Sequence, residues 1–166
     1  MDLIVNNKLS DEVYDKLNNL KELYFQYGDI IFFSKTNIDD AQKGFRYVPS
    51  DNSIIDEWAG NEYVIVGYDS TAGFGPEPII MKVDEQNLPM YHLMTDGGDW
   101  KNPDKIANSF DDYIKIMNCI SEFSEYFEYS TLSEENYNLL INKISQINSN
   151  ENIDYWEILL QSAMEQ

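Results

Sequence analysis

Residues 62–110 constrain the fold most tightly, because they hold three apolar runs of strand length separated by turn residues. The runs occupy residues 63–66, 76–83 and 88–94. They are rich in β-branched and aromatic side chains, which favour strands, and proline is tolerated at a strand start where no ladder N–H is needed. Glycines and acidic residues lie between the runs, as is typical of hairpin turns. The stretch therefore predicts an antiparallel meander.

Helix signals flank this meander on both sides. Ser10, followed by two acids, is typical of a helix start, and the apolar stripe that begins at Val13 predicts one helix that ends at Gly28. Ser109 has an aspartate three residues on, and Thr131 has a glutamate three residues on, which is the capping-box pattern. Apolar spacing after each of them, and again from residue 153, predicts helices in the C-terminal third. A short apolar run at residues 3–5 suggests an edge strand.

These elements predict one α+β domain over residues 1–166, with an antiparallel meander sheet of about four to six strands packed with helices. Residues 1–44 would supply an N-terminal helix and strand, residues 45–110 the sheet core, and residues 110–166 a C-terminal helical segment. A length of 166 residues fits one domain.

Charge excludes two classes of partner. Eleven Lys and Arg oppose 30 Asp and Glu, for a net charge of −19. Binding to nucleic acid or to an anionic membrane surface needs clustered cations, which this chain lacks. A strongly negative field instead attracts basic partners. Solubility alone is the other explanation of such a charge.

The chain carries a single cysteine, Cys119, so no internal disulfide can form. The first residues have neither a basic segment nor a long apolar run, so no signal peptide or membrane span is expected. The sequence therefore predicts a cytoplasmic protein.

A set of short motifs follows in a fixed order along the chain. They are Gly-Tyr-Asp-Ser at 67–70, Pro-Ile at 78–79, Pro-Met-Tyr at 89–91, a Gly-x-x-Trp turn at 97–100 and Ile-Ala-Asn-Ser-Phe at 106–110. Tyr-Phe at 126–127, Leu-Ser-Glu-Glu at 132–135 and Tyr-Trp-Glu at 155–157 complete the set. Over roughly residues 45–160 this order resembles the SUKH superfamily, which holds bacterial toxin-immunity proteins and relatives of a fungal cell-wall-synthesis regulator. The acidic-leucine helix and Leu-Pro-x-x-Tyr motif of many members are missing, so the N-terminal 40 or so residues are a variant of that region or a replacement for it.

The resemblance implies a SUKH-like domain that binds a cognate toxin without catalysis, as an immunity protein of a polymorphic-toxin or contact-dependent inhibition system. The acidic charge adds that the toxin is basic, with nucleases and other toxins acting on nucleic acid as the natural candidates. A regulatory or scaffold protein with several partners is the alternative that the fungal relative implies. The oligomeric state stays open.

Acids and aromatic residues are dense in the meander. The strand-end loops and one exposed sheet face are therefore predicted to contact the toxin, since aromatic residues dominate binding hot spots. The predicted contact residues are Asp69, Glu77, Asp84, Tyr91, Asp96, Asp99 and Trp100. For Trp100, capping of the core is the competing structural interpretation.

Catalytic signals are few. His92 is the only histidine, so no histidine pair can bind a metal, and a Cys119–His92 dyad conflicts with the apolar helix stripe on which the cysteine lies. Neither glycine-rich turn is followed by the Gly-Lys-Ser/Thr of a phosphate loop. A metal-dependent hydrolase that uses Asp69, Asp84 and Asp96 at strand ends is the remaining enzymatic alternative. The sequence therefore predicts no catalytic residue, no metal and no cofactor.

Overall fold

The computed structural model describes residues 8–71 and 75–165, which fold around a six-stranded antiparallel sheet. The strands are β1 (Leu23–Phe25), β2 (Gly28–Phe32), β3 (Tyr63–Asp69), β4 (Glu77–Lys82), β5 (Met90–His92) and β6 (Asp104–Ala107). Their order in the sheet follows the chain, and each pairs antiparallel with the next. The predicted meander is confirmed. It begins earlier than residue 45, because β1 and β2 extend it, and β6 is a strand that the sequence analysis missed.

The helices lie before, within and after the sheet strands. They are α1 (Asp11–Asn18), α2 (Ile38–Ala41), α3 (Phe110–Ser121), α4 (Ser124–Tyr129), α5 (Glu134–Ile147) and α6 (Asp154–Ser162). Together with the sheet they confirm the α+β class and the C-terminal helical segment. The run at residues 3–5, predicted as an edge strand, lies outside the described residues.

Serine side chains begin three of these helices. Ser10 Oγ accepts a hydrogen bond from the Val13 N–H at 3.3 Å, and Ser109 Oγ accepts one from the Asp112 N–H at 3.0 Å. In α5 the N-cap is Ser133, not the predicted Thr131. The reason is tertiary: the backbone N–H of Leu132 donates to the carbonyl of Ala163 at 3.0 Å, which ties that residue to the end of α6.

The helix predicted to end at Gly28 is wrong in its length. α1 ends at Asn18, and the chain then forms the β1–β2 hairpin, in which Phe25 pairs with Gly28. Gly28 is needed for close approach, since a Cβ there would lie only 2.5 Å from the carbonyl oxygen of Ser70. The glycine therefore marks a strand contact, where the sequence suggested a helix stop.

The sheet has a hydrophobic core on each face. The helix-side core joins Val64, Val66, Ile79, Met81 and Met90 of the sheet to α3, α5 and α6. The opposite core joins Tyr63, Ile65, Ile80, Tyr91 and Leu93 to the loop segment that carries Trp58. Because both faces of the sheet are buried, the sequences of β3 and β4 are nearly continuous apolar runs and do not alternate between apolar and polar residues.

A β-bulge in β3 changes which face its last residues occupy. The register shifts between Ile65 and Gly67, so Val66 is an extra residue. The buried Gln42 side chain stabilises this site, because its amide accepts from the Ile65 N–H and donates to the Ile65 carbonyl. After the bulge Tyr68 packs against the opposite core, and Asp69 lies on the helix side against α6.

Candidate functional site

A pocket of about 810 Å³ lies between α6 and one end of the sheet. Its sheet side is formed by Asp69 at the end of β3, Glu77 at the start of β4 and His92 at the end of β5. Its helix side is formed by residues of α6 that include Tyr155 and Ile158. We call this cavity the α6 pocket. Its volume is in the range of about 300–1,000 Å³ that is usual for ligand sites.

Strand register brings the three polar side chains of this sheet end together. Asp69 pairs with Glu77 across β3 and β4, and Ile79 pairs with His92 across β4 and β5. Side chains two residues apart on a strand share a face. Glu77 therefore lies on the same face as Ile79, and the bulge in β3 turns Asp69 to that face as well.

Asp69 is anchored on both carboxylate oxygens. Its Oδ1 accepts from the Thr71 N–H at 2.8 Å and from the Thr71 hydroxyl at 2.7 Å, and its Oδ2 accepts from the Tyr155 hydroxyl at 2.8 Å. Burial, and next the negative charge of Asp69, raise the pKa of Tyr155 well above its ordinary value. The phenol therefore stays protonated and remains the donor. Asp69 links the end of β3 to α6.

Glu77 and His92 lie close together but do not form a hydrogen bond with each other, unlike Asp69 and Tyr155. His92 Nε2 lies 3.0 Å from Glu77 Oε2 and 3.9 Å from Asp69 Oδ2. The short contact lacks the alignment of a hydrogen bond, and among the described residues Nε2 is a buried polar atom with no hydrogen-bond partner. The imidazole also packs on the Tyr155 ring, with ring centroids 4.8 Å apart. Glu77 and His92 are only 4% and 5% exposed.

The mouth of the α6 pocket combines carboxylates with apolar side chains. Asp104 and Asp154 are exposed at its edge, and Lys105 lies beside them with its ammonium group 5.8 Å from the centre of the Tyr91 ring. Met94 and Ile158 line the same mouth with large exposed fractions, 44% and 68%. The opening is therefore acidic and partly apolar.

The seven predicted contact residues do not form one exposed surface, which corrects the expectation from the sequence. Asp69 and Glu77 are buried, because the bulge and the strand register turn them under α6. Tyr91 is buried on the opposite sheet face, where its ring packs edge-on against Tyr63 at 5.3 Å. Asp84 lies beyond β4, at the end of the sheet away from the α6 pocket.

Three of the predicted contacts lie in the loop that follows β5. Asp96 and Asp99 are exposed, and Asp99 accepts hydrogen bonds from the Lys101 N–H and the Asn102 amide. Trp100 is half-buried, with its ring centre 6.3 Å from that of Phe45, and its indole N–H donates to the Thr95 carbonyl at 3.3 Å. Trp100 therefore has the core-capping position that the competing interpretation described.

A second surface was not predicted from the sequence, and it borders the α6 pocket, because the Tyr27 hydroxyl donates a hydrogen bond to Ser162 Oγ and Ser162 lines that pocket. All four exposed tyrosines lie on the β1–β2 hairpin and on α4: Tyr24, Tyr27, Tyr126 and Tyr129. The two elements are joined by the Phe25 and Phe127 rings, 4.9 Å apart. Three exposed carboxylates accompany the tyrosines: Glu22, Glu125 and Glu128. We call these seven residues the tyrosine–carboxylate surface. Its one sequence signal is the Glu-Tyr-Phe-Glu-Tyr run at 125–129.

Metal ligands and the single cysteine are the residues on which the two enzymatic alternatives depend, and the structure describes residues 8–71 and 75–165. No group of three or more His, Cys, Asp or Glu in these ranges is arranged to bind a metal ion. Cys119 is half-buried against the helix-side core. No helix in the same ranges is long and apolar enough to cross a membrane.

Comparison of the chain with protein-family models, with curated proteins and with solved structures found no match.

Proposed function

We propose that this chain is a non-catalytic binding protein that neutralises a basic toxin by contact, as an immunity protein does. The single observation that carries the proposal is the tyrosine–carboxylate surface. Every exposed tyrosine of the described residues lies there, next to carboxylates, and neither β1 nor α4 contains a cation.

The chemistry of this surface suits a cationic protein. A tyrosine offers a large ring at low conformational cost and a hydroxyl that can hydrogen-bond, which is why tyrosine is enriched at binding hot spots. Carboxylates around the rings attract a basic partner over distance and oppose an acidic one. On a toxin that acts on nucleic acid, such a surface would compete for the cations that bind phosphate.

The charge of the C-terminal helices also supports a basic partner. Residues 122–165 contain nine carboxylates and one cation, Lys143. The carboxylates are those of Glu122, Glu125, Glu128, Glu134, Glu135, Glu151, Asp154, Glu157 and Glu165. A field of one sign steers an oppositely charged partner and can raise its association rate by about 10- to 1,000-fold at low salt. The motif order shared with the SUKH superfamily supports a toxin as that partner.

The first test is neutralisation. Toxin domains encoded next to this gene, together with a panel of basic toxin domains, are expressed with and without this chain, and survival is scored. We expect survival with one toxin and direct binding of the purified pair, at a rate that falls as salt rises. Failure to rescue any member, or rescue without binding, would argue against the proposal.

The second test maps the surface on the rescued toxin. The variant E125K/E128K and the matched variant D96K/D99K change the net charge equally, at α4 and at the loop after β5. We expect the first to slow association by about tenfold and the second to have a much smaller effect. Tyr129→Ala should weaken binding by about 1 kcal/mol or more, mainly by faster dissociation. A larger effect of D96K/D99K would indicate that the toxin binds the loop after β5, as predicted from the sequence, and not α4.

A further inference from the structure

Glu77 is a buried carboxylate whose bonding is incomplete. Among the hydrogen bonds found within the described residues none reaches its carboxylate, and its Oε2 lies 3.0 Å from His92 Nε2, a contact that is an ion pair only when the imidazole is protonated. Asp69, 3.9 Å from the same nitrogen, already accepts three hydrogen bonds. Burying a charged group is costly unless a partner compensates for it. A hydrogen-bond donor that enters the α6 pocket would supply such a partner to Glu77.

His92, the other member of this contact, also has an incomplete set of hydrogen bonds. Its side chain is 95% buried, given an exposure of 5%, and it lines the α6 pocket with Nε2 unpartnered. Buried side-chain nitrogens almost always have a hydrogen-bond partner. Two incomplete polar groups that touch each other beside one cavity indicate that the cavity receives a polar group.

The lining of the α6 pocket defines the charge and shape of that group. The pocket has a buried carboxylate, Glu77, and two exposed carboxylates at its mouth, Asp104 and Asp154. Lys105 is the one cation among the described residues that line it. The lining also includes amide and hydroxyl side chains, and its apolar part includes Met94 and Ile158, which have large exposed fractions. A side chain that carries a charged group on an alkyl chain matches both the carboxylates and the apolar residues. Its alkyl chain covers the apolar residues while its charged group reaches the inner carboxylate.

We propose that the α6 pocket binds the side chain of an arginine presented by the protein partner, with the guanidinium at Glu77. Arginine fits better than lysine for two reasons. Its planar fork can engage a carboxylate with two hydrogen bonds, and the same plane packs on aromatic rings such as that of Tyr155. This inference rests on the proposed function for the identity of the partner, but the chemistry of the pocket can be tested without any partner.

The test uses n-butylguanidinium as the probe and n-butylurea as its uncharged counterpart. Because the chain has one histidine, the imidazole proton signals of His92 can be identified without ambiguity in an NMR titration. We expect a saturable shift of these signals with n-butylguanidinium and none with n-butylurea. No saturable shift in the folded protein, or equal shifts with both probes, would overturn the proposal.

Variants connect the response to Glu77. Glu77→Gln should weaken probe binding at least about tenfold, whereas the matched Asp99→Asn, which removes an exposed carboxylate outside the pocket, should leave it unchanged. Ile158→Lys places an ammonium group at the mouth on an exposed position, so it should weaken binding even if Glu77→Gln does not fold. Unchanged binding in the folded Glu77→Gln or in Ile158→Lys would refute the assignment.

A final arm separates this inference from the proposed function. The affinity of the rescued toxin for Glu77→Gln and Ile158→Lys is compared with that for E125K/E128K. Weaker binding of the toxin to the pocket variants supports an arginine of the partner as the occupant. Unchanged toxin affinity in both pocket variants overturns that identity, although neutralisation through the tyrosine–carboxylate surface would still stand.

Discussion

At the residue scale, two neighbouring carboxylates have different roles because their bonding differs. Asp69 accepts hydrogen bonds from Thr71 and Tyr155, and so connects β3 to α6. Glu77 is as deeply buried, its Oε2 lies 3.0 Å from His92 Nε2, and no hydrogen bond to its carboxylate is found among the described residues. A carboxylate with all its bonds made within the protein stabilises the fold, whereas one with free acceptor positions is available to a ligand. The inner acid of the α6 pocket is therefore Glu77.

Arg46, the only arginine, is a structural cation. It is 1% exposed, and its guanidinium donates to the Tyr63 carbonyl at 2.9 Å and to the Asn61 carbonyl at 3.3 Å. Its guanidinium carbon also lies 5.9 Å from the Trp58 ring centre. Burial lowers the pKa of Arg46 from its ordinary value. This side chain fastens the loop segment to the start of β3.

We expect Arg46→Lys to destabilise the protein by about 1–3 kcal/mol, because an ammonium group cannot reproduce the planar fork and leaves a buried carbonyl without its donor. The measurement is urea unfolding followed by tryptophan fluorescence. Lys21→Arg, on an exposed position, is the matched control and should stay within about 0.5 kcal/mol of the wild type. Equal stability of both variants would contradict the structural role of Arg46.

At the element scale, α6 connects the pocket to the core. Trp156 is fully buried and its indole N–H donates to the Ile106 carbonyl at 2.8 Å, while Leu159 and Leu160 are buried beside it. Tyr155 and Ile158 lie on the side of the same helix that faces the pocket, and they line it. One short helix thus supplies both a core anchor and a pocket wall, because residues three and four apart share a face.

Helix α3 allows a direct test of capping. Ser109 Oγ accepts from the Asp112 N–H, so Ser109→Ala should cost about 1 kcal/mol by leaving that donor without a partner. Ser124→Ala, at the first residue of α4, whose N-cap position is held by Phe123 and not by the serine, is the matched control. The change in free energy of unfolding is measured for both. Equal losses of unfolding free energy in the two variants would show that the Ser109 cap does not stabilise α3.

At the scale of the whole molecule, internal contacts use most of the cations. Six lysines pair with carboxylates: Lys16, Lys35, Lys43, Lys82, Lys115 and Lys143. Lys101 donates to two backbone carbonyls, and Arg46 is buried. The charge that remains exposed is therefore dominated by carboxylates, so the electrostatic potential around the described residues is negative.

Buried phenols predict that the fold weakens in alkali. Burial raises the pKa of Tyr14 and of Tyr68 to about 12, and burial also raises the pKa of Tyr113 and Tyr155 well above the ordinary value of 10.0. A phenol with a raised pKa in the folded state gives stability that is complete below pH 10 and lost as pH rises through the folded value. We expect the melting temperature to fall above about pH 10.

Tyr68→Phe isolates one of these groups. The variant loses the hydrogen bond to the Ala41 carbonyl, 2.6 Å long, so near pH 8 it should be less stable by about 1 kcal/mol. That difference should shrink between about pH 10 and 12, because phenylalanine has no proton to lose. Melting temperature and phenolate absorbance are followed together across this range. A constant difference would show that Tyr68 does not contribute to the alkaline transition.

The sequence by itself determined the features that depend on neighbours along the chain. Apolar runs and turn residues indicated β3, β4 and β5, and serine caps indicated where α1 and α3 begin. Composition alone determined the charge of −19. Each of these follows from local backbone preference or from a simple sum, so tertiary contacts are not required.

Only the tertiary structure decided which acids and tyrosines face solvent. The bulge at Val66 reverses the side-chain alternation of β3, so Asp69 lies under α6, and Glu77 lies there because it shares the helix-side face of β4 with Ile79. Both were expected at the surface. Strand β1 replaced the second half of a predicted helix, because it pairs with β2, whose Gly28 packs directly on the backbone of Ser70. Exposure depends on register and on which distant helix covers a strand, and both are set by contacts between residues far apart in the chain.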